Sequence, residues 1–173
     1  LPSRLREGLG VGTAHSAALA CAGHNAYRWA MARQYDLRPA RALRIHCPVP
    51  EPVLARLLAG DRQALEDDPA LAAMLAIVRG DNPLGDFGLY RGVMELAPGW
   101  ELFTPTATAR PTAGTADENA VSSTVILTVH LPHDAPQDRI DAAIGAILRA
   151  HPWEVPVIEL TETRLVTRAP KAG

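Results

Sequence analysis

The chain has 173 residues, is 47% apolar and 21% charged, and carries a formal net charge of −2 with both signs interleaved. That size holds one domain with a full core, and the even charge excludes the basic stripe that nucleic acid or an anionic membrane surface recruits. No stretch approaches the apolar length of a membrane span, and the two cysteines, Cys21 and Cys47, imply no disulfide framework, so a reducing cytoplasm is the expected setting.

The N-terminal segment reads as a helix over residues 13–35, capped by Thr13. Arg4 and Arg6 before the alanine-rich run ending Leu19-Ala20-Cys21 resemble a secretory signal with a lipid-modified cysteine. His15 interrupts that apolar run, however, and the pattern continues through Tyr27, Trp29 and Met31, which favours one uninterrupted helix. Ala17, Ala20, Gly23, Tyr27 and Ala30 give it a small-residue face suited to close packing. Gly8-Leu9-Gly10-Val11-Gly12 could cradle an anion, but no strand precedes it, so it reads as a flexible entry to the helix. Leu37-Arg38-Pro39 ends the helix.

Two later stretches share one grammar. Residues 43–58 run Leu43-Arg44-Ile45-His46-Cys47-Pro48, a second proline at Pro50, then Val53, Leu54, Leu57 and Leu58 at helical spacing. Residues 127–148 run Leu127-Thr128-Val129-His130-Leu131-Pro132, then Pro136, then Ile140, Ala143, Ile144, Ile147 and Leu148. Each is an alternating strand ending in His-x-Pro, followed by a proline-opened helix.

Between them, residues 61–79 read as helical with a break and restart at Asp67-Asp68-Pro69, where Glu66, Asp67 and Asp68 form a solvated helix-starting cluster. Gly80-Asp81-Asn82-Pro83 is a stop. Residues 87–103 read as extended, with Ala97-Pro98-Gly99 as a turn between two short strands or a bend in one ribbon. Residues 104–120, rich in Thr, Ala and Pro, read as a loop that is mobile or ordered only by a partner. Asp117 and Glu118 within it could close over a site. A strand over 123–131, a helix over 136–150 and a strand over 155–166 follow, with a slip in alternation near 162–164 that fits a bulge.

The expected fold is therefore α+β: a ferredoxin-like β-α-β-β-α-β sandwich over residues 41–167, with a helical insertion after its first helix. An N-terminal helical extension (1–40) and a tail (168–173) flank it.

In this reading the first and third strands are central neighbours running parallel. Leu43, Ile45 and Cys47 face the helices together with Val125, Leu127, Val129 and Leu131, so Cys47 acts as a small buried hydrophobe. His46 and His130 then share the other face at the same end, on strands about 4.8 Å apart. Arg44 and Thr128 lie one step back, and His133 could reach the rim. His46, His130 and His133 could hold a divalent metal such as copper or zinc, a catalytic zinc needing three protein ligands. Equally, the pair could flank a small ligand, or simply pack. His24 and Arg28, four apart on the first helix, could with Asn25 present a polar cluster to the same face; His15 lies nearly opposite. The chain contains no Gly-x-Ser-x-Gly elbow, phosphate loop, Cys-x-x-Cys or His-Glu-x-x-His.

The run Ala150-His151-Pro152-Trp153-Glu154-Val155-Pro156-Val157-Ile158-Glu159-Leu160 resembles the His-Pro-aromatic-Glu-Val-Pro-x-Ile stretch of CutA-type divalent-cation tolerance proteins. It is similar also to the CutA-like inserted domain of the Nif-related dinuclear-metal family. The likeness covers residues 123–166 and has no counterpart for the first forty residues, the helical insertion at 61–79 or the loop at 104–120. It implies a ferredoxin-like fold, a homotrimer, and an association with divalent cations, particularly copper, without an established reaction. The dinuclear family's ligands lie outside its inserted domain, so none carries over. Read by themselves, Pro152 and Pro156 belong at strand starts or edges, Trp153 offers a large burial area, Glu154 caps or pairs, and His151 is structural.

Three functions remain open on these residues. One is an oligomeric binding protein for a small ligand or divalent cation, using the open sheet face or a subunit interface. Another is a small enzyme with His46 and His130 as acid/base groups or metal ligands, Arg44 holding an anionic substrate, and the 104–120 loop as a lid. The third is a regulatory module docking a partner through its first helix.

Overall fold

In the computed structural model the described residues are 35–168. They form, in chain order, β1 (Tyr35–Pro48), α1 (Glu51–Leu58), α2 (Ala64–Asp67), α3 (Pro69–Arg79), β2 (Met94–Phe103), β3 (Ala120–Pro132), α4 (Gln137–Ala150) and β4 (Ile158–Arg168). This is an α+β arrangement with one four-stranded antiparallel sheet in the order β2-β3-β1-β4. Leu37–Leu165 make up one compact unit, and no helix among the described residues is long and apolar enough to cross a membrane.

Strand alternation builds the core. Leu43, Ile45 and Cys47 of β1 and Val125, Leu127, Val129 and Leu131 of β3 are all buried, while the residues between them face the other side. Against that apolar face pack Leu54 of α1, Leu71, Met74, Leu75 and Val78 of α3, and Ile140, Ala143 and Ile147 of α4. The α3 set falls at i, i+3, i+4 and i+7, one stripe of a helix. The expected break before α3 is present: Asp68 is its N-cap, Oδ1 accepting from the Leu71 N–H at 2.8 Å, and Pro69 occupies the first turn. Upstream, the Arg56 guanidinium spans Asp61 and Asp67, holding the Asp61 carboxyl below its usual range.

Several expectations change. The helix expected over 13–35 lies outside the described residues except for Tyr35, which already belongs to β1. β1 is thus longer than the predicted 42–47, because residues from Ala40 onward find partners in the equally extended β3. β2 runs straight through Ala97-Pro98-Gly99 instead of turning there. It is an edge strand, so the missing N–H of Pro98 breaks no ladder on its open side. Residues 162–164 continue within β4; this strand is the other edge, exposed from Glu159 through Glu162, and its alternation answers to no buried face there.

The largest correction concerns the two central strands. β1 and β3 are antiparallel, with Leu43 opposite Val129, Arg44 opposite Thr128 and Ile45 opposite Leu127. β3 forms an antiparallel pair with β2 on one side and with β1 on the other, so the strand between them cannot run parallel to β1. The sequence repeat therefore becomes a pseudo-twofold in the register of the two strands, centred on the Arg44–Thr128 pair, which exchanges β1 and β3 with direction reversed.

Burial pushes the Cys47 thiol up to about 12, with the Asp68 and Glu101 carboxylates adding to the shift. An unfolded thiol ionises near ~8.5, so between these values the unfolded chain has lost a proton that the native state keeps. The thiol's stabilising contribution is complete below the unfolded value and is lost as pH rises toward about 12. Urea unfolding across this range is expected to show a steeper alkaline loss in the native chain than in Cys47→Ala; parallel slopes would contradict it.

Candidate functional site

The antiparallel register redistributes the expected site residues on the open face. Arg44 and Thr128 come together as direct cross-strand partners, with Glu95 of β2 opposite Thr128 on the far side. Arg44 Nη1 makes an exposed ion pair with Glu159 Oε2 at 3.0 Å. His46 and His130 do not come together. His46 pairs with Ile126 and His130 with Ala42, a separation of four positions or about 13 Å along the strands. One metal ion cannot bridge them, nor can they share a cleft. His133 is engaged elsewhere, its Nδ1 lying 3.0 Å from Glu162 Oε2 in an exposed pair. His24 and Arg28 lie outside the described residues. Among the described residues no group of three or more His, Cys, Asp or Glu side chains is placed to hold a metal.

At the His130 end the sheet is closed over. The His130 carbonyl accepts from the Gly85 N–H at 2.8 Å, and the Val93 N–H bonds in turn to the Gly85 carbonyl. Gly85 has φ +66°, and a Cβ there would lie 2.4 Å from the Val93 carbonyl oxygen, so only glycine lets the 84–93 segment approach this closely. Phe87 borders a crevice of about 10 Å³ beside His130, next to a cavity of about 550 Å³ that shares Arg38, Asp86 and Pro132 with it.

At the His46 end the sheet stays open. Just past α4, His151 is buried and uses both ring nitrogens. Its Nδ1 accepts from the Trp153 N–H at 3.1 Å, which leaves Nε2–H to donate to the His46 carbonyl at 2.8 Å. That fixes a neutral tautomer and ties the segment after α4 to the end of β1. Trp153 then stands edge-on to His151 and tilted against Phe103 of β2, ring centroids 5.5 Å apart.

The 104–120 loop folds back onto this corner. Glu154 Oε2 accepts from the Arg110 N–H at 3.0 Å, and the Thr112 hydroxyl donates to the Pro152 carbonyl at 2.8 Å. Within the loop, Thr104 Oγ1 donates to Asn119 Oδ1 and the Asp117 N–H to the Pro105 carbonyl. The chain itself therefore supplies contacts to a loop expected to be either mobile or ordered only by a partner.

Loop, Trp153 and β2 together enclose a half-open cavity of about 410 Å³, walled by Phe103, Trp153, Val157, Pro111 and Glu101 among others. Glu101 is mostly buried: Oε2 accepts from the Thr124 hydroxyl at 2.9 Å, and Oε1 lies 3.4 Å from His46 Nδ1. That last contact falls outside hydrogen-bond geometry, so both ring nitrogens of His46 are buried without a partner. His46 thus reaches the cavity only through Glu101. Sequence reasoning missed Glu101 because it read residues 87–103 as a bent ribbon; a straight strand puts Glu101 and Phe103 on one parity, in register with Ser122 and Ala120 on the open face.

No family profile and no curated protein matches the chain. Among solved structures, a Bacillus cereus protein related to NIF3 superposes on 79% of this chain with a TM-score of 0.50 and 12% identity. This chain spans 29% of that protein's length, and the likeness is one of fold.

His151→Ala would leave the His46 carbonyl and the Trp153 N–H without their partner in a half-buried corner. A loss of about 2 kcal/mol in urea unfolding is expected. His133→Ala, removing an exposed pair, should stay within ~0.5 kcal/mol. Equal effects would contradict the structural role assigned to His151.

Proposed function

We propose that this chain is a ferredoxin-like module of the CutA type that binds a small organic ligand in the cavity between Phe103, Trp153 and the 104–113 segment, and that it works as a homo-oligomer. The element order, the strand order β2-β3-β1-β4 and the NIF3-related structural neighbour support the fold part of this reading. The His-Pro-Trp-Glu run supports the CutA part, and with it a trimer. The observation that carries the binding part is the cavity. Its volume of about 410 Å³ falls in the range of small-molecule sites, and its walls are aromatic and aliphatic with a mostly buried carboxylate among them.

His46, the one expected site residue among the described residues that lies near this cavity, is retained as the group behind Glu101. A metal held jointly by His46 and His130, and acid/base chemistry shared between them, are not part of this reading, because the register separates them. His46 also offers no free ring nitrogen at the surface.

The test is a ligand-observed NMR screen of fragment-sized compounds against the full chain and an Ala113→Trp variant, whose indole would fill the cavity from its exposed rim. Hits on the native chain that disappear in the variant, at unchanged thermal unfolding, are the expected result. Hits indifferent to the substitution, or no hits, would sink the binding reading. Light scattering on the same sample weighs the oligomer, for which three chains are expected.

A further inference from the structure

The walls of this cavity carry one sign of charge. Among the described residues two carboxylates, Glu101 and Glu154, line it, and no lysine or arginine side chain does. They differ in character. Glu154 is exposed and already accepts the Arg110 N–H through Oε2. Glu101 is mostly buried, with one oxygen on the Thr124 hydroxyl and the other beside an imidazole that makes no hydrogen bond to it. A carboxylate withdrawn from water in this way is held by a single neutral donor, and such a group gains most from a charged donor. Apart from Thr104, Thr106 and Thr112, the remaining surface is aromatic and aliphatic: Phe103 and Trp153 in mutual contact, then Val157, Pro105 and Pro111. Aromatic faces attract cations and exclude anions.

Resting on the binding reading above, we infer that the ligand is a small organic cation, a primary or secondary ammonium group on an apolar body, with the ammonium on Glu101 and the body against Phe103 and Trp153. An ammonium supplies donors that the Thr124 hydroxyl alone does not, and the aromatic pair serves both the hydrocarbon and the charge. An organic anion would meet two carboxylates and no compensating cation. A neutral ligand would leave Glu101 as it stands.

The discriminating experiment is isothermal titration of the full chain with three molecules of nearly one shape: phenethylamine, phenethyl alcohol and phenylacetate. The amine is expected to bind at least roughly tenfold more tightly than the alcohol, with phenylacetate the weakest. Glu101→Gln, which keeps an acceptor for Thr124, is expected to remove the amine's advantage while leaving the alcohol unchanged. Phenylacetate binding as well as the amine, or an amine no tighter than the alcohol, would overturn the inference. If alcohol binding is still lost in Ala113→Trp, the cavity reading survives that outcome. An amine preference that persists in a folded Glu101→Gln variant also overturns the assignment. Should that variant not fold, the ranking of the three probes on the native chain decides alone. Absence of binding by all three likewise ends the inference, and the wider fragment screen then decides whether the cavity binds anything.

Discussion

The antiparallel pairing of β1 with β3 is the constraint on which the rest of this structure depends. It joins residues far apart in sequence, Ala40 with Pro132 at one end and Pro48 with Thr124 at the other. By doing so it lays seven buried side chains side by side as the floor on which α1, α3 and α4 pack. A shift of one residue would turn Leu43, Ile45 and Cys47 to the open face and bring Arg44 and His46 into the core. The register is thus fixed by burial, and through it so is everything on the opposite face, including the distance between the two histidines and the place of Thr124 beneath Glu101.

The second organising contact is polar. His151 has no solvent to fall back on, and it satisfies a carbonyl on β1 and an N–H two residues further along its own chain. One neutral imidazole therefore does the work of a short piece of ladder where the chain leaves α4 and approaches the start of β4. With its direction set there, Trp153 has little choice but to lie against Phe103, and Glu154 is presented to the returning loop. The cavity follows from this corner rather than from the sheet face as a whole, and its one mostly buried carboxylate sits where the edge strand β2 passes beneath it.

Much of the scaffold could be read from residues alone. The two strand-helix units, the restart at Asp68-Pro69 and the helix over Gln137–Ala150 all rest on local signals: alternation, a capping side chain, proline in a first turn. The structural reading of His151 and the capping or pairing expected of Glu154 fit the contacts found, but their distant partners, the His46 carbonyl and the Arg110 N–H, could not be named from the sequence. What was not legible is relative direction. Strand parity says which face a side chain takes, but it says nothing about which way a neighbouring strand runs, and His46 and His130 were placed together on that missing information. Pro98 and Gly99 misled for a related reason: they are turn residues in isolation, and become tolerable strand residues only on an open edge, a property of the assembled sheet. Glu101 is the sharpest case, because nothing near it in sequence distinguishes it from a solvated glutamate.

The pseudo-twofold carries a consequence for how a cavity can arise in so small a fold. It makes the corner beyond His46 and the corner beyond His130 counterparts in the register of β1 and β3. They have had opposite fates. Beside His130 the glycine-dependent 84–93 segment narrows the crevice under Phe87 to about 10 Å³, with a cavity of about 550 Å³ opening next to it past Arg38, Asp86 and Pro132, while beside His46 the long loop arches over about 410 Å³. Internal repetition in this way lets one corner be drawn close against its strand by a tight glycine contact, while its counterpart is roofed at a distance by a longer loop.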